Sequence, residues 1–371
     1  MSLSYWEKTT LQHFNLVVVG GGLVGLSTAY HYAKAHPKAS VALVERGLFP
    51  TGASTKNAGF ACFGSISELQ DTAQSLGNAG TAELAWQRYR GGLELRALLG
   101  DKAIGYAPVG GIELGFSPMS SAHIDEMNAL LEPHFKSPVF KAENHRLQEF
   151  GFSDKVVSLT TNLLEGTIDT GKMMRAFMRK CAEAGVVFMT QTEVTQIHGG
   201  TDPEVVVRTV DGNTALKAGQ IALCTNAFTQ RFIPKTDVRP GRGMVLVSKP
   251  IQNWHLEGSF HYHSGYHYFR TVGGRLLLGG GRQLDLQGEQ TTDFGVNTKI
   301  YDALVEDMHT LIAPGRNLEV DYHWSGIMAF GRTKQPKVEA VEQGIYAAYG
   351  MGGMGVAIGC GIGKELAELM A

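Results

Sequence analysis

Leu16-Val17-Val18-Val19-Gly20-Gly21-Gly22-Leu23-Val24-Gly25 is the stretch on which the reading of this chain turns. Its first four residues form a wholly apolar run, the mark of a parallel strand covered on both faces. The glycines follow at once, and Leu26-Ser27-Thr28-Ala29-Tyr30-His31-Tyr32-Ala33 reads as a helix. A second apolar run, Val41-Ala42-Leu43-Val44, ends in Glu45. That acid stands 20 residues after Gly25, matching the separation of about 20 between the last glycine and the acid of a dinucleotide-binding unit.

Each part has a physical task. Gly20 turns the chain sharply out of the strand, where a Cβ would clash. Gly22 lets the backbone approach a pyrophosphate, and Gly25 lets the helix lie close on the sheet. The phosphates then sit at the free N–H groups around Leu23 and Val24, on the positive end of the helix dipole. Glu45 accepts hydrogen bonds from the ribose hydroxyls, and its charge repels a 2′-phosphate, which disfavours NADP. Glycine makes up 47 of 371 residues, so a glycine triplet alone would fit a surface turn equally well. Strand, turn, helix, strand and acid in this order favour the nucleotide.

A chain of 371 residues can bury a substantial core and is expected to form two lobes. Its 43% hydrophobic and 18% charged content is that of a folded enzyme and excludes wholesale disorder. With 33 basic and 35 acidic residues it has no general attraction for nucleic acid or anionic membranes. The start, Met1-Ser2-Leu3-Ser4-Tyr5-Trp6-Glu7-Lys8, lacks a basic segment followed by an apolar core, so no secretory leader is expected. No apolar run approaches the ~20 residues needed to span a bilayer, and a cytoplasmic location is expected. Cys62, Cys181, Cys224 and Cys360 form no C-x-x-C pair, which disfavours zinc, iron–sulfur and disulfide frameworks.

Beyond Glu45-Arg46-Gly47 lies a second small-residue loop, Thr51-Gly52-Ala53-Ser54-Thr55-Lys56-Asn57-Ala58-Gly59. Alone it reads equally as a surface loop. Beside a dinucleotide unit, its backbone N–H groups with Ser54, Thr55 and Asn57 line the far side of an extended cofactor. NAD-binding halves usually pass directly into another strand and helix, so this loop favours FAD.

Further on come Tyr268-Phe269-Arg270, Gly279-Gly280-Gly281, Trp324-Ser325-Gly326 and Gly350-x-Gly352-Gly353-Met354-Gly355. Taken in order with the first glycine motif, Glu45-Arg46-Gly47 and the loop 52–59, these segments resemble the D-amino-acid oxidase superfamily of FAD-dependent amine oxidoreductases. That group includes glycine, sarcosine and γ-glutamylputrescine oxidases, and the triple glycine with the Trp-x-Gly segment looks most like the last branch. The resemblance implies an α/β fold with a Rossmann-like, glutathione-reductase-type FAD domain and a second, antiparallel-sheet substrate domain. The FAD domain is expected from residues 1–85, 155–238 and 325–371, and the substrate domain from 86–154 and 239–324.

The resemblance also implies chemistry: FAD-dependent oxidation of the C–N bond of a small amine or amino acid, by hydride transfer to flavin N5, to give an imine that hydrolyses. Arg46 and the loop residues Gly52, Ala53, Ser54, Thr55, Asn57, Ala58 and Gly59 then join Gly20, Gly22, Leu23, Val24, Gly25 and Glu45 around FAD. Val194 contacts adenine through its backbone, and Thr225-Asn226-Ala227 ends the strand returning beneath the cofactor. Gly352, Gly353, Met354 and Gly355 open a second helix toward the flavin pyrimidine edge, where its dipole stabilises the charge of the reduced form. Related sequences often carry histidine where Met354 stands. Relatives that attach FAD covalently use a cysteine just past the Trp-x-Gly segment or a histidine in the first loop. Here those places read Gly326-Ile327-Met328 and Ser54-Thr55-Lys56-Asn57, so non-covalent FAD is expected.

The remaining pattern predicts helix over much of 60–100, with apolar positions Ile66, Leu69, Leu84, Trp86, Leu93 and Leu98, and another near 124–131. Asp169 or Thr170 caps a helix over 172–184 whose Met173, Met174, Phe177 and Met178 read as core. Val186-Val187-Phe188-Met189 reads as a buried parallel strand. Residues 193–197 and 205–210, with the Asp211-Gly212 turn, read as a meander, and 266–272 with 275–278 as a hairpin across Gly273-Gly274.

Amine oxidation by a flavin asks orientation and a dry pocket of its protein; no Ser-His-Asp or paired-carboxylate spacing stands out. The densest cluster is His261-Tyr262-His263-Ser264-Gly265-Tyr266-His267-Tyr268-Phe269-Arg270. Strand alternation puts His261 with His263 and Tyr266 with Tyr268. The cluster reads as a polar strand face, as a metal site lacking carboxylate or thiol partners, or as a pocket wall with Tyr266 or Tyr268 over the flavin; no metal is expected. Amino-acid oxidases of the family hold the substrate carboxylate with an arginine soon after the Trp-x-Gly segment. Met328 occupies that register here, so either Arg332 serves from a shifted position or the substrate lacks an α-carboxylate; Arg242 and Arg270 are further candidates. The electron acceptor is oxygen in an oxidase and a carrier or quinone in a dehydrogenase. Two competing readings are a tRNA-modifying flavoprotein acting on an aminomethyl group, against which the balanced charge argues, and a non-catalytic FAD-binding subunit.

Overall fold

Around the strand His13–Val19 the first of two eight-stranded sheets is assembled. The computed structural model describes residues 4–210, 212–254 and 256–371; Met1, Ser2 and Leu3 of the start, and Asp211 of the expected turn, lie outside the described residues. His13–Val19 pairs in parallel with Val41–Val44 on one side and with Gly212–Leu223 on the other. Residues 16–19 are at most 4% exposed. Leu16 and Val18 meet Leu26, Phe177 and Ile362 on one face, and Val17 and Val19 meet Val205, Ile221 and Tyr349 on the other. This two-sided burial is the reason for the unbroken apolar run.

Helices Leu23–Ala35, Thr170–Glu183 and Gly355–Leu369 supply the first cover. Asp169 is the N-cap of the second, its carboxylate accepting the Lys172 N–H at 2.9 Å. The meander covers the other face, and its last strand does two jobs. Gly212–Leu223 runs antiparallel to Glu204–Thr209 in its first half and parallel to His13–Val19 in its second.

Two expectations change. Val187–Met189 is parallel to Val41–Val44 but, among the described residues, forms the sheet edge with no strand beyond it, and Val187 is exposed. The long helix Ile66–Leu99 is broken at Gly77, whose φ is +68°. Leu93 is exposed, and Trp86 and Leu98 are half-buried. The buried stripe runs instead through Leu84, Arg88, Gly91, Leu95 and Leu99, because Gly91 brings this face against the last helix; a Cβ there would lie 2.5 Å from the Ala357 carbonyl oxygen.

The second sheet runs in the order Val320–Phe330, Arg239–Ser248, Arg275–Gly280, His267–Val272, Ser259–Tyr262, Gly111–Gly115, Ser158–Asn162 and Phe140–Ala142. It is antiparallel except where Ser259–Tyr262 meets Gly111–Gly115. Its two-residue period decides what faces the cofactor lobe. Ile112, Leu246, Phe260, Phe269 and Leu278 pack with Ile300 and Leu304 of the helix Thr298–Asp307. Val245, Leu277, Tyr268 and Trp324 face the other way, against Ala58 and Phe60. The expected boundaries at 85/86, 154/155 and 324/325 fall within or beside single elements. Ile66–Leu99 runs through the first, and both Ser158–Asn162 and the whole of Val320–Phe330 belong to the second sheet. Apolar pattern marks an element without saying which sheet it joins.

Among the described residues no helix is long and apolar enough to cross a membrane. All four cysteines are free and buried. Burial pushes the thiols of Cys181, Cys224 and Cys360 up to about 12 and that of Cys62 well above its ordinary value. Native protein at pH 8 is therefore expected to resist thiol alkylation until it unfolds, as intact-mass measurement will show; rapid modification of the folded protein would contradict this burial. A Cβ on Gly25 would lie 1.9 Å from the Gly20 carbonyl oxygen, whereas on Gly171 it meets only an ordinary contact at 3.4 Å. In thermal unfolding Gly25→Ala is expected to cost about 1–3 kcal/mol, and Gly171→Ala, within a helix, to gain about 0.5–1 kcal/mol.

Candidate functional site

A cleft of about 430 Å³ opens at the C-terminal ends of the parallel strands, between the two sheets, where open α/β sheets bind their ligands. Gly20 leaves the central strand with φ +106°, and the following helix, Leu23–Ala35, begins with Gly22 as an N-cap that has no side-chain capping bond. The Leu23 N–H donates to Ser54 Oγ at 2.8 Å, so the second loop is fastened to the mouth of this helix. Glu45 is buried at the neighbouring strand end. Its Oε2 accepts the Gly21 N–H at 3.0 Å and its Oε1 the Gly47 N–H at 2.9 Å, which fixes the carboxylate while leaving lone pairs on both oxygens.

Gly20, Gly22, Leu23, Val24, Glu45, Arg46, Gly52, Ala53, Ser54, Asn57, Ala58 and Val194 border this cleft. The Arg46 guanidinium lies 4.1 Å over the Phe228 ring. Gly25, Thr55 and Gly59 stand behind the lining. Gly25 packs the helix against the turn; the Thr55 hydroxyl donates to the Pro50 carbonyl at 2.7 Å; the Gly59 carbonyl accepts from Arg270 at 3.0 Å. Asn57 locks its own loop, its Oδ1 accepting the Gly59 N–H and the Thr170 hydroxyl, each at 2.8 Å.

Thr225, Asn226 and Ala227 border the cleft from the end of Gly212–Leu223. Asn226 Oδ1 accepts the N–H of Gly350 at 3.1 Å and of Met351 at 3.4 Å, tying this strand end to the last glycine turn. Gly352, Gly353, Met354 and Gly355 line the same space, and the helix Gly355–Leu369 also begins without a side-chain cap, Met354 being its N-cap. Two helix mouths whose N-cap residues make no side-chain bond, the first fastened through Ser54, and one oriented carboxylate thus border a single cleft. This donor and acceptor set suits a dinucleotide with one pyrophosphate and a ribose diol.

The opposite wall comes from the second sheet. Tyr266 and Tyr268 both border the cleft. Burial pushes the Tyr268 hydroxyl up to about 12, so it stays protonated, and its ring meets Phe60 at 5.4 Å. His261 is buried on the same side. His263, expected on that strand face, lies past the strand end in a turn with φ +51° and stacks on Phe116 at 4.9 Å. A turn residue no longer follows the alternation that paired the two histidines. No cluster suited to a metal ion occurs among the described residues.

Arg332 lies outside the cleft. It is exposed, and its backbone N–H points to Asp237 Oδ2 at 3.4 Å. Arg242 is held twice by Glu289, at 2.9 and 2.8 Å, and Arg270 holds Gly59, with burial lowering its pKa to about 10. The arginine that does border the cleft beside Tyr266 is Arg282, 4.1 Å over Phe330 and 5.9 Å from the Tyr266 ring. Among the described residues it forms no ion pair, and desolvation lowers its pKa. Its signal lay in the sequence, directly after Gly279-Gly280-Gly281. Glu68, Asp71, Arg88 and Lys334 also reach the cleft, from segments with no motif to announce them.

Comparison with known proteins shows the family. The profile described as FAD dependent oxidoreductase, DAO, matches residues 15–369. Gamma-glutamylputrescine oxidoreductase of Escherichia coli (strain K12) is 23% identical over 371 residues, covering 96% of this chain and 83% of that protein. L-proline dehydrogenase from P. horikoshii superposes with a TM-score of 0.75 at 19% identity, over 97% of this chain and 94% of that one. Glycine oxidase from Geobacillus kaustophilus gives 0.74 at 20% identity, over 96% and 95%. The chain therefore belongs to the DAO family of FAD-dependent oxidoreductases.

Proposed function

We propose that this enzyme oxidises the C–N bond of a small amine or amino acid, with FAD held non-covalently along the cleft. The observation that carries the reading is the convergence of two helix mouths and the Glu45 carboxylate on one cleft whose far wall is aromatic. When bound, FAD supplies the two-electron acceptor, and the oxidised substrate leaves as an imine that hydrolyses. The mouth at Leu23 would face the cofactor's pyrophosphate, the Glu45 carboxylate would accept from its ribose, and the mouth at Gly355 would favour the negative charge that reduction brings. The first sheet with its helices forms the FAD lobe, and the second sheet the substrate lobe. Glycine, L-proline and γ-glutamylputrescine, after which the three relatives are named, each present an amine nitrogen on a carbon that bears hydrogen.

Facing each other at the cleft, Phe60 and Tyr268 exclude water, and Tyr266 stands beside Arg282. The Arg282 guanidinium, desolvated yet without a carboxylate partner among the described residues, is the anion contact that Arg332 cannot supply from outside the cleft. A substrate carrying an anionic group, a carboxylate above all, satisfies it. Four free thiols suit a reducing, cytoplasmic location.

Mixing the FAD-loaded protein anaerobically with a panel of amines and D- and L-amino acids is expected to bleach the oxidised flavin band with at least one of them. A panel that leaves the band intact defeats the reading. Arg282→Met is expected to raise KM for carboxylate-bearing substrates roughly 10- to 150-fold, the worth of about 1.5–3 kcal/mol for a hydrogen bond to a charged group, with kcat changed far less. Acid precipitation is expected to leave the yellow pigment in the supernatant; colour retained in the pellet would mean a covalent link.

A further inference from the structure

One buried pair beside the cleft includes a polar atom that no structural contact explains. His261 is 5% exposed and sits mid-strand in Ser259–Tyr262, paired across the sheet with Tyr268 and Glu113. It borders the cleft, and its Nε2 is shut off from solvent without a hydrogen-bond partner. Glu165, 1% exposed, brings Oε2 to 3.9 Å from that nitrogen. Its other oxygen, Oε1, accepts the Phe63 N–H at 2.7 Å and the Gly64 N–H at 3.0 Å. A Cβ on Gly111 would fall 1.8 Å from Oε2, so this position is kept bare where the carboxyl lies. A buried acid in a made-to-measure seat, next to an unpartnered imidazole at a ligand cleft, is costly unless it is used.

We propose that His261, backed by Glu165, takes up the proton that an ammonium substrate must lose before its C–H bond is oxidised. This rests on the amine-oxidising reading above. An ammonium nitrogen has no lone pair to stabilise the carbon as hydride departs, and an amine with a pKa like that of lysine, ~10.4, is neutral in fewer than about one molecule in a thousand at pH 7. In the step one ammonium N–H bond breaks, its electron pair stays on nitrogen, and the proton bonds to Nδ1 of His261. The Nε2–H is meanwhile shared with the Glu165 carboxylate; nothing is oxidised or reduced. His261 is the catalytic residue and Glu165 the positioning one, fixing the tautomer and raising the basicity of the ring. The 3.9 Å separation shortens when a ligand fills the cleft, as catalytic hydrogen bonds commonly do.

The groups facing the pair set its working range. Glu68 and Arg88 come from the helix Ile66–Leu99, Cys62 from the segment before it, Glu113 from the strand Gly111–Gly115, and Tyr268 from across the sheet. Desolvation dominates, raising Glu165 to about 8 and lowering His261. Below that pH the carboxyl is neutral and the imidazole a weak base. As pH rises through it, the carboxylate forms and the pair gains its affinity for a proton.

The test is anaerobic stopped-flow reduction of the FAD-loaded full chain by an amine that bleaches it, from pH 6 to 10, in wild type, Glu165→Gln and His261→Gln. The wild-type rate is expected to rise through a midpoint near 8. Glu165→Gln removes the ionisation behind that limb, so reduction should stay about tenfold slower at pH 8.5 and rise only as the amine itself loses its proton. His261→Gln should slow it about 100-fold with little change in substrate binding, and both variants should recover toward pH 10, where the amine arrives neutral. Without substrate, the imidazole signals of His261 in nuclear magnetic resonance should shift through a midpoint near 8 as Glu165 ionises, a step that Glu165→Gln abolishes. Coincident pH profiles in all three proteins, or an imidazole midpoint indifferent to Glu165→Gln, overturn the proposal while amine oxidation stands. If no amine reduces the wild type, the functional reading fails and takes this one with it. Should Glu165→Gln fail to fold, the His261→Gln profile decides alone.

Discussion

Where the chain leaves its central strand, the Gly20 carbonyl lies so near the helix that a single methyl group at Gly25 would collide with it. That contact fixes the angle at which Leu23–Ala35 departs, and with it the direction of the helix mouth. The Glu45 carboxylate is fastened to the same turn through the Gly21 N–H, so acid and helix mouth are set by one piece of backbone. The loop 52–59 is tied in through Ser54 and locked by Asn57. This side of the cleft is a single hydrogen-bonded unit, and its accuracy comes from main chain rather than from long side chains.

The second sheet grips that unit from the other direction. Trp324 Nε1–H donates to the Lys56 carbonyl at 2.8 Å, and Arg270 donates to the Gly59 carbonyl at 3.0 Å. Both bonds fall within four residues of the loop, and Phe60 follows with its ring between His261 and Tyr268. The junction between the lobes is thus a short segment held by hydrogen bonds on its backbone and by aromatic edges on its side chain. Such geometry favours a stiff floor to the cleft over a sliding one.

What could be read in advance follows from how far each signal travels. Strand, glycines, helix and acid lie within 30 residues, and their spacing is dictated by local geometry, so residues 16–45 announce their fold. The last glycine turn was legible for the same reason. The opposite wall was not, because a sheet face is shared among strands distant in sequence, and no spacing in the chain says that Glu113, His261 and Tyr268 stand in one row. Alternation paired His261 with His263 and so misplaced His263, since it assumes that the strand continues. Arg332 drew notice by its distance from the Trp-x-Gly segment. Arg282 reaches the cleft because the hairpin brings it there, which only the sheet order reveals.

The pairing of the first helix with the last has a cost in time. The Ser27 hydroxyl donates to the Cys360 carbonyl at 2.6 Å across 333 positions, and Gly363 lies against Ser27 so closely that a Cβ would stand 2.4 Å from it. Contacts of such sequence separation must close very large loops before any packing rewards them, which slows folding. While the chain is being made, part of the apolar flank of Leu23–Ala35 stays uncovered until residues beyond 355 emerge. During that interval it is the surface on which nascent copies stick to one another or are shielded by a chaperone.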